Sequence, residues 1–183
     1  VVFIVALCVT SSVLAIVSAD YALSIIREIN DRLLAKRGYV GNDSVFHTEQ
    51  SANLDAQVDV CKQNVRQLPD DPGAHYDLGT AYYETGRYQE AINAYQHALH
   101  LKPDMAEAYV SIGAAYRELS EREKEIEAYK QAIRLEPDDV EAHLYLGLAH
   151  LETGNRTQAL EEYKILKSLD EAKAEELFTA IYK

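Results

Sequence analysis

The sequence predicts an all-α chain: an α-solenoid of three helix-turn-helix units with capping helices, preceded by a long N-terminal apolar helix. Three observations predict it. A pattern of small and aromatic residues recurs at one fixed interval through the second half of the chain. Residues 1–19 carry no charge. Elsewhere apolar residues recur at three- and four-residue intervals, the period of helices rather than strands.

The N-terminal run from Val1 to Ala19 is dominated by Val, Ile, Leu, Ala and Phe. At helical rise it spans roughly 28 Å, one hydrocarbon thickness, which predicts a transmembrane helix. Val17-Ser18-Ala19 before Asp20 also reads as a signal-cleavage site, although no basic stretch precedes it. A buried globular helix is a third reading, but nothing later offers a mating surface of that size. The chain does not open on Met, which suggests that it starts inside a longer product or is processed. A chain that opens directly on an apolar helix resembles the type IV pilin-like class over residues 1–37, with Val5 where that class usually has Glu. That resemblance implies helices packed together in a filament core.

Residues 20–37 continue without a breaker. Ala22, Ile25, Ile26, Ile29, Leu33 and Leu34 share one face, and Arg27, Glu28, Asp31, Arg32, Lys36 and Arg37 the other. This predicts either an interfacial extension of the anchor or a stalk that pairs with other helices, ended by Gly38. Residues 38–53, rich in Gly, Asn and Ser, predict a linker. A helical pattern returns over 54–68 through Leu54, Val58, Cys61 and Val65, and Pro69-Asp70-Asp71-Pro72 ends it. That helix is predicted to be a cap or half of a degenerate unit.

The repeat begins after it. Gly79, Gly113 and Gly147 are evenly spaced, and Leu78, Ile112 and Leu146 keep the same interval. So do Tyr95, Tyr129 and Tyr163, then Tyr82, Tyr116 and His150, and Pro103 with Pro137. Small residues allow two helices to approach closely, tyrosines fill the space between them, and prolines end each second helix. Gly86 and Gly154 suit the turn between the helices. No hairpin of this size buries its apolar face alone, so neighbours must complete the core. The units read as 72–105, 106–139 and 140–173, inside a domain of residues 54–183. Ser120 stands where the other units have a turn glycine and Glu125 where they have alanine, which predicts looser packing in the second unit. Leu166 and Glu171 replace Ala and Pro in the third. The chain is therefore predicted to run into a C-terminal cap at about 171–182, with Ala174, Leu177, Phe178 and Ile181 inward.

These residues resemble the tetratricopeptide repeat, with its large–x2–Leu–Gly–x2–Tyr stretch, its Ala–x3–aromatic stretch and its Pro. The resemblance implies a right-handed superhelix whose first helices line a concave, partner-binding groove. Carried over position by position, the groove residues are Gly73, Tyr76, Asp77, Thr80, Tyr83 and Glu84 in the first unit. The second unit gives Glu107, Val110, Ser111, Ala114, Arg117 and Glu118; the third gives Glu141, Leu144, Tyr145, Leu148, Leu151 and Glu152. Tyrosine and aliphatic side chains with an acidic rim suit an apolar or basic peptide or helix. The apolar stripe of the third unit could equally take the chain's own C-terminal helix. One subtype clamps a partner's C-terminal carboxylate with Lys, Arg and Asn; Tyr76, Val110 and Ser111 occupy those places, so chaperone docking is not expected.

Charge supports the same class of partner. The chain has 183 residues, 30 acids and 18 bases, for a net charge of −12. Residues 1–68 hold 7 acids and 6 bases, and the remainder 23 and 12, so the repeat region carries nearly all the excess. A body this acidic repels phosphate backbones, which excludes nucleic acid as a first expectation. Catalysis, cofactors and metals find no motif. His97 and His100 lie three apart on an outer helix, but no third ligand follows at a suitable spacing. Cys8 and Cys61 read as small buried hydrophobes rather than a disulfide. The sequence thus predicts a scaffold that recruits protein partners, anchored through residues 1–19 or self-associating through residues 1–37. The expected alternatives are a filament subunit displaying the repeat domain, and an accessory subunit of a membrane complex. Arg27, Arg32, Lys36 and Arg37 after the apolar run favour a cytoplasmic domain. The signal-like Val17-Ser18-Ala19 favours an extracytoplasmic one in a bacterium, to which the reading leans.

Overall fold

The computed structural model describes the backbone over residues 43–183 and side chains over residues 53–183. The apolar run, the 20–37 stretch, the pilin-like resemblance and Cys8 lie outside the described residues. Eight helices make up the described residues: α1 (Asp43–Gln67), α2 (Pro72–Glu84), α3 (Tyr88–Leu101), α4 (Ala106–Glu118), α5 (Arg122–Leu135), α6 (Val140–Glu152), α7 (Arg156–Leu169) and α8 (Glu171–Tyr182). Among them no helix is long and apolar enough to cross a membrane.

One expectation needs correction at once. Residues 43–53, read as part of a linker, are helical, because α1 starts at Asp43. The stretch lacks apolar periodicity, yet after Gly41 it contains neither Gly nor Pro. Its apolar residues, Val45, Phe46 and Ala52, are too few to mark a hydrophobic stripe.

Three hairpins follow, α2–α3, α4–α5 and α6–α7. Each turn places one residue in the left-handed region: Gly86 at φ 73°, Ser120 at φ 60° and Gly154 at φ 77°. In each case that residue and the next donate backward to the end of the first helix, as in Gly86 N to Tyr83 O (2.9 Å) and Arg87 N to Tyr82 O (2.8 Å). These bonds satisfy carbonyls that a helix end leaves orphaned. Ser120 reproduces the turn at the steric cost a Cβ carries there, on the order of 1 kcal/mol. At the other ends Asp71, Asp139 and Asp170 cap α2, α6 and α8, with Asp139 Oδ1 accepting from the amides of Glu141 (2.9 Å) and Ala142 (3.0 Å). Met105, at the corresponding place before α4, makes no such bond and is buried against Ala98 and Ala108 instead.

The repeated glycines sit where rings cross the first helices. A Cβ on Gly79 would lie 2.5 Å from the Tyr95 ring, and one on Gly113 2.5 Å from the Tyr129 ring. Gly147 departs from this. Its neighbour is Leu177 of α8, at 2.5 Å, and not Tyr163 of its own hairpin. Tyr163 instead packs on Phe178, with ring centroids 5.4 Å apart. Ala91, Ala98, Ala132 and Ala159 are fully buried and give the second helices their close approach.

The looser packing expected around Glu125 is not found. Glu125 takes the place of Ala91 and Ala159 and is only 1% exposed. Arg122 satisfies it at 2.7 Å and reaches Glu152 of the next hairpin at 2.5 Å. A buried carboxylate with a bridging cation therefore fills the site that a methyl group fills elsewhere. Burial pushes the Glu125 carboxyl above the ordinary glutamate value, with the Arg122 guanidinium opposing the shift.

The two ends close differently. Val58 and Cys61 of α1 cover Ala81, Leu78 and Tyr82 of α2. Cys61 is a buried free thiol, pushed up by burial. At the far end, Ala174, Leu177 and Ile181 of α8 join Leu144, Ala159 and Leu166 in one cluster. Fully burying Leu166 and Leu177 contributes about 2 kcal/mol each. A single residue, Asp170, joins α7 to α8, where four residues join α3 to α4 and α5 to α6.

Candidate functional site

The side chains expected to bind a partner all lie on the first helices of the hairpins, α2, α4 and α6. The structure distinguishes the three sets. In the first, Tyr76 is half-buried, and its hydroxyl lies 3.1 Å from Ser111 Oγ of α4. Ser111 donates to the Glu107 carbonyl at 2.9 Å, and Thr80 donates to the Tyr76 carbonyl at 3.3 Å. The Tyr95 hydroxyl donates to Thr80 Oγ1 at 3.3 Å, while its ring packs against Tyr76 at 5.3 Å. This polar network fixes the rotamers of the first two units. Tyr83 packs edge-on against Tyr88, 5.3 Å between centroids. Burial and the nearby Glu118 carboxylate push its hydroxyl up.

The second set breaks the network by one substitution. Ala114 stands where the first unit has Thr80. The Tyr129 hydroxyl, equivalent to that of Tyr95, is therefore buried without a hydrogen-bond partner. Burial drives it far above the ordinary tyrosine value. Its ring stacks on Tyr145 of α6 at 5.7 Å and 30°. Val110 and Ala114 are half-buried beside it, and Glu107, Arg117 and Glu118 are exposed.

The third set is largely occupied. Leu144, expected as a groove residue, is buried at 2% under α8. Leu148 and Leu151 pack against the same cluster. The reason is local: α8 follows α7 after one residue and lays Leu177 and Ile181 against the apolar stripe. Tyr145 stays half-buried, while Glu141 and Glu152 are exposed.

What remains open to a partner is a tyrosine-lined strip over the first two units, ending at Tyr145 and bordered by Asp77, Glu84, Glu107, Glu118 and Glu141, with Arg117 the cation among these groove positions. Reading first helices alone misses Tyr95 and Tyr129, which come from the second helices and support the strip from below. The missed signal was the exchange of Thr80 for Ala114 at one repeat position. Among the described residues no group of three or more His, Cys, Asp or Glu is placed to hold a metal. His97 stacks on His75, with centroids 5.5 Å apart and planes 29° apart, which aligns ring faces instead of converging nitrogen lone pairs.

Comparison with known proteins agrees with this architecture. A TPR repeat family model matches residues 79–120 and 113–154, and a tetratricopeptide repeat model matches residues 141–171. No curated protein sequence matches the chain. A crystal structure of MamA is similar at a TM-score of 0.60 and 32% identity, over 64% of this chain and 69% of that one. A second, of MamA protein, gives 0.60 and 31%, over 67% of each chain. The Arabidopsis OM64 TPR domain matches at 0.57 and 20%, over 61% of this chain and 93% of its own, and shows the fold alone. The family models together run through the three hairpins whose glycines, left-handed turns and tyrosines are described above, and so the chain belongs to the tetratricopeptide repeat family, whose fold is that of a protein–protein interaction scaffold.

Proposed function

We propose that this chain is a tethered scaffold whose first-helix face captures a basic, partly apolar segment of a partner protein. The observation that carries the reading is the tyrosine strip of Tyr76, Tyr83 and Tyr145 inside a rim of exposed acids. Aromatic side chains supply large contact area at low entropic cost, and the rim steers cationic segments toward them. The third unit contributes Tyr145 and Glu141 but not Leu144, so the captured segment spans the first two units.

The tether is residues 1–19, which hold no charge over roughly one bilayer thickness. A surface-restricted scaffold gains effective concentration, so a weak groove suffices. On this reading residues 1–19 act as an uncleaved, signal-like anchor, and the repeat domain that follows it lies outside the cytoplasm. The same uncharged run supports a second reading, a filament core built from copies of residues 1–37.

Two measurements test these readings. Fluorescence anisotropy with labelled peptides compares a Lys/Leu-rich sequence with its Glu/Leu-rich counterpart on the intact chain. The basic peptide should bind at least about tenfold tighter, and Glu84→Lys with Glu118→Lys should reverse the order. Equal affinity for both peptides would rule the groove assignment out. Extracting native material separates the tether readings: detergent should release small particles from a membrane fraction, whereas a filament survives detergent and is visible by electron microscopy.

A further inference from the structure

The outer side of the solenoid carries a second repeated feature. A groove of about 350 Å³ lies between α1 and α3, floored by His75, Leu78 and Tyr82 of α2. A larger one of about 520 Å³ lies between α3 and α5, floored by Tyr109, Ile112 and Tyr116 of α4. The two floors are the same three repeat positions in successive units. Each groove is open because the next second helix presents an alanine there, Ala94 in one and Ala128 in the other. In the third unit the corresponding residue is Glu162, whose side chain crosses that space to reach His143 at 2.6 Å. The repeat geometry therefore accepts a side chain at this position, and only the first two copies leave it vacant.

The ridge between the two grooves is α3. Its exposed residues are Gln89, Asn93, Gln96, His97, His100 and Leu101, none with a formal charge at pH 7 when histidine is neutral. The exposed positions of α5 are, by contrast, Glu123, Lys124, Glu127, Lys130, Arg134 and Leu135. The groove walls do carry charge, Glu90 in the first and Lys124 and Glu127 in the second, but Glu90 is paired with Arg87 at 2.9 Å, Lys124 with Glu121, and Glu127 accepts from Gln131. Between them the crest of α3 is uncharged and flanked by aromatic-floored grooves, the composition of an interface centre, where charge is depleted and tyrosine enriched. The absence of unpartnered charge also sets the partner's chemistry. An acidic or basic contact face would leave its charges desolvated and unpaired on this ridge.

We propose that this outer face docks an uncharged amphipathic helix of a partner protein, lying across α3 and dropping one apolar side chain into each groove. A ridge one helix wide is about 10 Å across, which a helix spans in roughly seven residues. The anchors are therefore apolar residues at i and i+7, separated by small or amide side chains. The site is distinct from the tyrosine strip on the first helices, so the scaffold holds two partners at once, one on each side.

The test uses a labelled helical peptide of about 18 residues, rich in Ala and Gln, with leucines at i and i+7. Its control carries the same leucines at i and i+5, on opposite faces. The i, i+7 peptide should bind the full chain about tenfold or more tighter than the control. Asn93→Glu with Gln96→Glu, both exposed, charges the ridge without touching the core and should weaken binding about tenfold. Ala128→Glu, which copies the closure of the third unit, should do the same in the folded protein as judged by circular dichroism. Glu84→Lys with Glu118→Lys should leave the affinity unchanged. The proposal is overturned if neither peptide binds at about 1 mM, if both bind alike, if the ridge variants leave affinity within about twofold, or if the Glu84 and Glu118 changes abolish binding.

Discussion

Glu162 Oε2 lies 2.6 Å from His143 Nδ1, and the other ring nitrogen, Nε2, lies 2.8 Å from the Pro137 carbonyl. Both neighbours are acceptors, so both bonds form only when the imidazole carries both protons. The Glu162 bond holds the ring above the ordinary histidine value; burial works against it, and the Pro137 carbonyl and the charge of Asp139 assist. The arrangement ties the junction before α6 to α7 through one buried side chain.

The pH dependence of stability follows from that geometry. The folded-state value is raised, so the contribution is complete below the unfolded value near pH 6.5 and is lost as pH rises through the folded value. Glu162→Ala, which restores the residue found at positions 94 and 128, should cost about 1–2 kcal/mol at about pH 6 and much less at about pH 9. Thermal melts of both proteins across that range provide the check. A cost independent of pH would mean that the imidazole is not the titrating partner.

The repeated glycines should differ in their tolerance of a methyl group. Gly113→Ala drives a Cβ to 2.5 Å from the Tyr129 ring, which is fully buried and has no room to retreat. We predict a loss of about 2–3 kcal/mol. Gly147→Ala meets both methyls of Leu177, at 2.5 and 3.1 Å; that side chain is equally buried, but its methyls end a flexible side chain where Tyr129 presents a rigid ring, so the loss should be smaller, about 1–2 kcal/mol. Urea unfolding of the two variants would reveal the order, and equal losses would contradict this account of the close approaches.

Glu125 and Arg122 should respond in opposite ways. Glu125→Ala supplies the residue that Ala91 and Ala159 provide in the other units and removes a carboxylate that burial disfavours. It should be neutral or stabilising by up to about 1 kcal/mol. Arg122→Ala strands that carboxylate at 1% exposure and releases Glu152, and should cost about 3 kcal/mol. Calorimetric melting temperatures measure both. A large loss from Glu125→Ala would show that the bridge to Glu152 outweighs the burial of the charge.

The orphaned Tyr129 hydroxyl gives a paired prediction. Tyr129→Phe removes a buried polar atom that has no partner and should stabilise by about 1 kcal/mol. Tyr95→Phe breaks the bond to Thr80 and should destabilise by a similar amount. Ala114→Thr, which copies the first unit, should stabilise the parent and remove the benefit of Tyr129→Phe. A double-mutant cycle reports that coupling directly, and additivity would refute it.

The hairpins were legible because their signals are local and repeated. In the first two units a glycine on the first helix and a tyrosine in step with it on the second mark where the two helices touch, whereas in the third Gly147 meets Leu177 of α8. The start of α1 was not legible, because residues 43–53 hold only three apolar residues, Val45, Phe46 and Ala52, too few to mark a helical face. Leu144 was legible only as a choice between two roles. Its repeat position marks it for the groove and its apolar stripe offers it equally to the C-terminal helix; α8, arriving after a single joining residue, takes it, and the length of a joint carries no hydrophobic signature. Glu125 read as a defect because Arg122 and Glu152, which complete it, lie outside the repeat pattern.

The joint at Asp170 has a wider consequence. Stacked hairpins offer at each end the same surface they use to hold their neighbours, and so invite open-ended growth. By bringing α8 in early and out of register, the chain covers that face of its third hairpin with its own helix. A hairpin arriving from another molecule would find the seat beside Leu144 and Leu166 already taken.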